Sequence, residues 1–237
     1  MRLNKFISET GLCSRREADE LITAQRVTLD GVVAATGAKW LEGMVVCVDE
    51  RELKPRPVVK NRRKHVYIAL NKPVGITCTT DQEIEGNIID FIDHQQRIFP
   101  IGRLDKDSEG LILLTSNGDI VNRILRVENE HEKDYLVGVN QPITEEFLRA
   151  MARGVMIHRQ MTKPCRVSRF AKYGFRIILT QGLNRQIRLM SEVLGYRVRQ
   201  LRRVRIINVN LGTLKVGAWR NLTDGELAGL LPDVKDW

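Results

Sequence analysis

Apolar positions in the first 48 residues are spaced as in a short helix followed by β-strands. Between residues 15 and 25 they recur at intervals of three and four, which predicts a helix. Ser14 and Glu17 form a capping-box pattern at its start. The Asp30-Gly31 pair between β-forming residues predicts a hairpin, and a further strand is predicted over residues 44–48. The region 1–48 is therefore predicted to form a small domain of its own.

From residue 65 onwards, strand-like runs and amphipathic helices follow each other without a regular βαβ repeat. The run 111–114 is continuously apolar and predicts a buried strand. Helices are predicted over residues 145–153 and, capped near Asn184, over residues 184–194, each ended by a glycine. This mixture predicts an α+β fold. Further strands are predicted at 66–70, 132–139, 175–180 and within 197–216, and further helices at 87–94 and 120–126.

Residues 49–64 are predicted to be a linker between the two regions, because Pro55 and Pro57 interrupt regular structure. Residues 60–64 form a basic cluster that includes Arg62 and Arg63. This composition fits two interpretations, a flexible basic tether and an ordinary solvated linker.

Composition predicts a globular protein of the reducing cytosol. Hydrophobic residues make up 43% of the chain, yet no apolar run approaches the roughly 18 residues of a membrane span. The N-terminus lacks the apolar core of a signal peptide. The four cysteines form no Cys-x-x-Cys pair and the four histidines are scattered. We therefore expect a cytoplasmic protein without a metal site or a membrane partner.

The net charge of +9 is unevenly distributed along the chain. Residues 159–205 contain 13 lysines and arginines and one acid, whereas residues 81–134 contain 13 acids and 6 basic residues. This pattern predicts one basic face and one acidic face. A concentrated basic stripe is typical of proteins that bind a phosphate backbone, although a solvated basic surface is the alternative.

Between Pro100 and Leu111, an arginine precedes a carboxylate by two residues in a glycine-bounded turn. These are Arg103 and Asp105, with Gly102 and Gly110 at either side. A cation within a few Å keeps a carboxylate ionised, and an ionised aspartate can act as a nucleophile or a base. Taken alone, an aspartate at this position more often serves turn chemistry.

The N-terminal region resembles the small αL RNA-binding module named after a small-subunit ribosomal protein, the S-four-type domain. Three runs carry the resemblance, at residues 2–6, 11–18 and 26–31. It implies that basic residues at the helix ends contact RNA phosphates, namely Arg2, Lys5, Arg15, Arg16 and Arg26. A helical domain that contacts another protein is the alternative interpretation.

Three motifs accompany the Asp105 stretch in the second region. They are Lys72-Pro73-x-Gly75, Lys133-Asp134-Tyr135 and the run LTQGLNRQIR at residues 179–188. In this order, and after an S-four-type module, they resemble the pseudouridine synthases, specifically the bacterial RsuA/RluF type. The resemblance covers essentially the whole chain. It implies a catalytic domain over residues 65–237 with a mixed, mainly antiparallel β-sheet flanked by helices.

The resemblance assigns roles residue by residue. It implies that Asp105 is the catalytic aspartate and that Arg103 positions its loop and helps to replace a flipped base. It implies that Tyr135 packs on the uracil ring and that Arg188 pairs with the catalytic carboxylate. The expected base pocket includes Leu104 and Ile187. The other expected RNA contacts are Arg62, Arg63, Lys72, Arg185, Arg202 and Arg203, with support of the fold as the alternative role of Lys72.

The implied reaction converts a uridine of RNA to pseudouridine by base flipping. Because the base and the sugar are both retained, no cofactor or metal is expected. An aspartate could attack the sugar or remove a proton from it, and the sequence leaves both routes open. The chain departs from the broader family pattern at Gly182-Leu183 and at Leu189. Residues 131–135, 105–110 and 180–184 look most like the branch that acts on large-subunit (23S) rRNA. Members of that branch sometimes accept tRNA as well.

Alternatives come from different functional classes. The chain could be an inactive homologue that assists ribosome assembly by binding RNA, or a glycosylase that removes a flipped base. A synthase acting on small-subunit rRNA or on tRNA is a closer alternative. We expect the protein to act as a monomer on RNA.

Overall fold

In the computed structural model, which describes residues 1–54, 65–125 and 130–232, the chain forms two units, Met1–Arg63 and Lys64–Trp237. Arg62 and Arg63 lie outside the described residues, together with most of the predicted linker. The two units are described separately below.

The N-terminal unit packs two helices against a four-stranded antiparallel sheet of order β2-β1-β3-β4. The helices are α1 (Leu3–Glu9) and α2 (Arg15–Thr23), and the strands are β1 (Val27–Leu29), β2 (Val32–Val33), β3 (Val46–Val48) and β4 (Arg51–Leu53). The predicted capping box is present, with the Glu17 amide donating to Ser14 Oγ at 3.2 Å and the Ser14 amide to Glu17 at 2.6 Å. Strand β4 was not expected: it pairs with β3, so the fold continues into the segment predicted as linker.

The second unit is built on a nine-stranded sheet of order β11-β12-β8-β13-β7-β5-β15, with β14 beside β13 and β6 beside β7. All pairs are antiparallel except β7 with β13. The strands are β5 (Tyr67–Lys72), β6 (Phe99–Ile101), β7 (Glu109–Thr115), β8 (Lys133–Val139), β11 (Arg166–Ala171), β12 (Gly174–Leu179), β13 (Val198–Ile206), β14 (Val209–Asn210) and β15 (Trp219–Asn221). A separate hairpin joins β9 (Met156–Ile157) to β10 (Gln160–Met161).

Helices cover parts of both faces of this sheet and divide its core into two clusters. One face packs against α3 (Ile88–Ile92), α5 (Glu145–Arg153) and α6 (Gln186–Val193), and the other against α4 (Gly118–Leu125) and α7 (Asp224–Leu230). Strand β7 alternates between the clusters, with Ile112 and Leu114 in one and Leu111 and Leu113 in the other. All four of these side chains are fully buried, as their continuous apolar run predicts.

The sequence pattern locates most of the longer elements but misses β4, β6, β9, β10, β11, β15 and α7 and misplaces the start of α6. Strand β11 is an edge strand whose side chains are almost all exposed, so it lacks the alternation that marks a strand. Helix α6 begins at Gln186, two residues later than predicted, and Asn184 does not cap it. Arg185 occupies the cap position in a left-handed conformation (φ 50°) and makes no side-chain cap.

Candidate active site

Asp105 lies in the loop between β6 and β7, at the wall of an open cavity of about 350 Å³. The amide of Ser108 donates to the Asp105 carbonyl at 3.0 Å and closes the loop as a tight turn. The loop and the segments that face it supply the lining, which comprises Val74, Gly75, Asp105, Lys106, Asp107, Asn184 and Arg185. We refer to residues 102–108 as the Asp loop.

Lys72 supports the Asp loop from beneath. It is fully buried at the end of β5, and its Nζ donates to the carbonyls of Pro73 at 2.8 Å and Ile76 at 2.9 Å. Burial lowers the pKa of this amine, an effect that nearby charges, including those of Asp107 and Asp105, partly offset. The turn that Lys72 orders is joined to the loop, because the Gly75 amide donates to the Lys106 carbonyl at 2.8 Å. Of the two roles expected for Lys72, the contact with RNA phosphates is therefore wrong, since no part of it reaches solvent, and the fold-supporting role agrees with its contacts.

Arg203 supports the loop from β13. Its Nε donates to the Leu111 carbonyl at 2.7 Å and its Nη1 to the Arg103 carbonyl at 3.4 Å. Its guanidinium carbon lies 5.9 Å from the centre of the Tyr135 ring. Only 4% of Arg203 is exposed, so the prediction that it binds RNA is also wrong. Its neighbour Arg202 is half-buried and remains a candidate RNA contact.

The start of β7 lies directly against the Arg203 backbone. Gly110 adopts φ +107°, and a Cβ at this position would come within 2.3 Å of the Arg203 carbonyl oxygen. Only glycine combines this conformation with this approach. The close pairing of β7 and β13 therefore depends on Gly110, and it fixes where the Asp loop ends.

Two arginines next to the start of α6 bind the loop through Asp107. Arg185 donates from Nη1 and Nη2 to the two Asp107 carboxylate oxygens at 3.3 and 3.2 Å. Arg188 places its Nε 3.4 Å from Asp107 Oδ2 and donates from Nη2 to the Asp107 carbonyl at 2.8 Å and to Ser108 Oγ at 3.0 Å. The predicted pair between Arg188 and Asp105 is therefore not formed: the partner carboxylate is Asp107.

Asp105 itself is left open to the cavity. Within the ranges that the structure describes, no ion pair or side-chain hydrogen bond joins its carboxylate to another residue. Arg103 is exposed, and the contact it makes is through its carbonyl, which accepts from Arg203, so its side chain does not pair with Asp105 as expected. The loop is thus held by contacts from β5, β13 and α6, while its central carboxylate is unengaged.

The other residues predicted to surround the base are mostly buried. Tyr135 is 8% exposed and lies in the core beneath Arg203, and Leu104 and Ile187 belong to the same core cluster. None of the three lines the cavity. The Leu104 amide donates to Cys78 Sγ at 3.4 Å, which adds another link between the loop and the segment after β5.

Some lining residues were not singled out from sequence. Asp107 and Ser108 take the arginine contacts, and Val74, Lys106 and Asn184 line the cavity. The signal for Asp107 was present, because a second carboxylate follows Asp105 by two residues in the same stretch. The linear sequence does not indicate which of the two carboxylates pairs with an arginine about 80 residues away.

The acidic and basic stretches do not form opposite faces. Acids of residues 81–134 pair with cations of residues 159–205. The pairs are Lys163 with Glu130 at 3.2 Å, Arg205 with Glu132 at 2.8 Å and Arg176 with Asp134 at 3.0 Å. The Asp107 pairs add to this set. The two stretches therefore neutralise each other in part, because the fold brings them into neighbouring strands.

The predicted RNA-binding residues of the N-terminal unit lie on its surface. Arg2, Arg15 and Arg16 are exposed, and Lys5 is half-buried beside Glu9 at 3.4 Å. Arg26 is exposed but donates from its Nε to Asp49 at 2.8 Å. These placements leave Arg2, Arg15 and Arg16 accessible to an anion.

The described part of the chain offers neither a cluster of metal ligands nor a helix that could span a membrane. In residues 1–54, 65–125 and 130–232, no group of three or more histidine, cysteine, aspartate or glutamate side chains is arranged to hold a metal ion. The helices in these ranges are all too short or too polar to cross a membrane.

Comparison with known proteins identifies both units. The RNA pseudouridylate synthase family matches residues 66–192, and the S4 domain matches residues 1–46. The dual-specificity RNA pseudouridine synthase RluF of Escherichia coli (strain K12) is 54% identical over 236 residues, which cover 100% of this chain and 80% of that protein. The ribosomal large subunit pseudouridine synthase B of Bacillus subtilis (strain 168) is 36% identical over 238 residues, 97% of this chain and 95% of that protein.

A solved structure supports the same conclusion for the fold. The crystal structure of a pseudouridylate synthase superimposes with a TM-score of 0.70 at 29% sequence identity and covers 97% of this chain and 99% of that one. The predicted α+β architecture is therefore confirmed. The chain belongs to the RNA pseudouridine synthase family, a family of isomerases, and carries an S4 domain at its N-terminal side.

Proposed function

We propose that this protein isomerises a uridine of large-subunit (23S) ribosomal RNA to pseudouridine, with Asp105 as the catalytic carboxylate. The observation that carries the assignment is the unengaged Asp105 side chain at the cavity wall, in a loop held by β5, β13 and α6. A rigid loop with a free carboxylate is what a group that reacts with substrate requires.

The reaction breaks the bond between the sugar C1′ and the uracil N1 and forms a bond between C1′ and C5. The proton on C5 is released to water, N1 gains one, and no electron is gained or lost. Asp105 serves either as a nucleophile at C1′ or as the base that removes a sugar proton. In both routes the uridine must first leave its stack, because C1′ and the ring edge are inaccessible within a helix.

The other proposed catalytic residues act around that carboxylate. Arg103, which is exposed at the rim of the loop, is proposed to fill the space that the flipped base vacates. Arg188 is a positioning residue, because it reaches Asp105 only through Asp107 and Ser108. Tyr135 is proposed to pack on the uracil ring. Since its ring is almost wholly buried, this contact requires the side chains that cover the ring to move when RNA binds.

The substrate assignment rests on the relatives. The Bacillus relative is named a large-subunit enzyme, which supports rRNA as substrate, and RluF is named a dual-specificity RNA enzyme, which fits a second substrate. We propose tRNA as that second substrate. The accessible arginines of the S4 unit (Arg2, Arg15, Arg16) are proposed to bind RNA phosphates, as are Arg62 and Arg63. We propose that the protein acts as a monomer in the cytoplasm, where its four free cysteines stay reduced.

The test uses RNA tritiated at uracil C5. Wild-type protein should release tritium into water from large-subunit rRNA, and Asp105→Asn should release none while it still binds the RNA. Asp81→Asn, which removes an exposed carboxylate outside the cavity, is the matched control and should behave as wild type. Absence of release from large-subunit rRNA, small-subunit rRNA and tRNA would favour an assembly factor, and free uracil among the products would favour a glycosylase.

A further inference from the structure

The end of the β11–β12 hairpin carries an exposed aromatic ring with a cation beside it. Tyr173 is 47% exposed, and the Lys172 ammonium lies 5.6 Å from the centre of its ring. Arg197 and Arg199, around the start of β13, are exposed as well. We call these four residues the tip cluster.

Backbone hydrogen bonds hold the two parts of the tip cluster to one turn. The Val139 amide donates to the Tyr173 carbonyl at 2.9 Å, and the Ile143 amide to the Lys172 carbonyl at 2.9 Å. On the other side, the Asn140 amide donates to the Arg197 carbonyl at 3.1 Å, and its side chain accepts from the Arg197 amide at 2.7 Å. The turn after β8 therefore joins the hairpin to the start of β13 and fixes their spacing.

The cations of the tip cluster differ from most others in the basic stretch. Seven of the 13 cations in residues 159–205 form ion pairs with acids. Among the residues described, no acid pairs with Lys172, Arg197 or Arg199. An anion can thus bind the tip cluster without displacing a carboxylate.

Phe170, the other exposed ring of the hairpin, has a structural role instead. A Cβ at Gly174 would come within 2.6 Å of the Phe170 ring, so the ring lies directly over the glycine backbone of the next strand. Such packing of an aromatic ring on a glycine stabilises an edge strand. Tyr173 is left as the ring that is free to stack.

The tip cluster lies at the sheet end from which the Asp loop enters β7. Gly174 is paired with Gly138 and Gly138 with Gln200, whose side chain donates to Glu109 at 3.0 Å. Glu109 is the first residue of β7 and follows the Asp loop directly. Four strand spacings separate β11 from β7, about 19 Å at ~4.8 Å each. A few nucleotides of a single-stranded segment span such a distance.

We propose that the tip cluster binds a single-stranded segment of the substrate RNA a few nucleotides from the uridine at Asp105. Tyr173 stacks on a base, and Lys172, Arg197 and Arg199 bind the adjoining phosphates. An aromatic ring among cations fits single-stranded RNA because every base has a face for stacking and every nucleotide carries a charge. The inference rests on the proposed function, in which RNA is the substrate.

The test measures binding of a fluorescently labelled single-stranded oligouridine over a range of salt concentrations. Tyr173→Leu should bind about tenfold more weakly, and Tyr173→Phe, which keeps the ring, should restore the affinity. The triple variant K172Q/R197Q/R199Q should lower the slope of log K against log salt by about 2. When tritium release from rRNA is measured, the weaker binding of these variants should appear as a higher KM.

A matched triple variant separates local contacts from net charge. R97Q/R149Q/R153Q removes the same number of exposed positive charges away from the tip cluster and should leave the slope near that of wild type. Equal slopes for the two triple variants, or equal affinities for Tyr173→Leu and wild type, would overturn the inference. Tritium release by the wild type on the same rRNA is scored independently, so failure of the proposed function is distinguishable from failure of this surface.

Discussion

Arg188 pairs with Asp107, with its Nε 3.4 Å from Oδ2, and not with Asp105 two residues earlier in the same loop. The Asp107 carboxylate thus forms the ion pairs with the arginines, and the Asp105 carboxylate remains available to react with substrate. Asp107 therefore anchors the loop, and several expectations depend on it.

Asp107→Asn should reduce catalysis without abolishing RNA binding. The change removes the charge that holds Arg185 and Arg188, so the loop becomes looser around Asp105. We expect kcat to fall by about 10- to 100-fold, the range for a lost charge-assisted hydrogen bond. The measurement is tritium release in a single turnover. Glu109→Gln is the control, because among the residues that the structure describes its side chain bonds to Gln200 alone. An equal loss in both variants would contradict this role.

Gly110→Ala should destabilise the second unit by about 3–5 kcal/mol. The reason is the left-handed conformation of Gly110 together with the 2.3 Å approach of a Cβ to the Arg203 carbonyl oxygen. Urea unfolding measures the effect. Gly225→Ala in helix α7, where nothing lies within 4 Å of the new Cβ, should be neutral or slightly stabilising. A Gly110→Ala protein as stable as wild type would show that β7 and β13 can separate without cost.

Arg202 and Arg203 should respond differently to neutralisation, although they are adjacent. Arg203→Met leaves the carbonyls of Leu111 and Arg103 without a donor and should cost about 2–3 kcal/mol of stability, with no change in the salt dependence of RNA binding. Arg202→Gln should lower the salt slope by about 0.7–0.9 and leave stability nearly unchanged. Unfolding by urea and binding titrations at several salt concentrations separate the two effects. A reduced slope in Arg203→Met would contradict its burial.

Glu226 should make the stability of the second unit sensitive to acid. The Arg220 guanidinium donates to its carboxylate at 2.6 and 2.7 Å and holds the pKa of Glu226 below its ordinary value of 4.5. A carboxylate with a lowered pKa stabilises the folded state above that ordinary value, and the contribution disappears as the pH falls through the folded-state pKa. Glu226→Gln should therefore be about 1 kcal/mol less stable at neutral pH. The difference from wild type should shrink below about pH 4.5. Urea unfolding at several pH values tests this, and a constant difference would exclude the ion pair as its cause.

The sequence predicts correctly those elements whose structure is determined by interactions between residues close together in the chain. Helix α5 occupies the predicted residues 145–153 because Thr144 caps its start, its amphipathic spacing is regular and Gly154 ends it. Strand β7 is visible because four consecutive apolar residues bury on both faces of the sheet. The Asp loop could be located for the same reason, since its residues lie in the one continuous stretch from Pro100 to Leu111.

Long-range packing decides the features that the sequence did not reveal. Lysine and arginine are exposed in most proteins, so the burial of Lys72 and Arg203 can be recognised only once the carbonyls they bind are in place. Arg203 binds a carbonyl 92 residues away and Arg188 a loop 80 residues away. The pairing of Arg188 with Asp107 follows from the path of the loop, which no spacing in the sequence specifies.

The chain order of these contacts also determines when the enzyme becomes competent during synthesis. The S4 unit leaves the ribosome before the second unit, and its contacts are local, so it can fold early. The Asp loop is made next, but its supports on α6 and β13 come about a hundred residues later. A nascent chain can therefore hold RNA before it can modify it. Full activity should begin only after β13 has emerged and joined β7, so binding precedes catalysis in the life of each molecule.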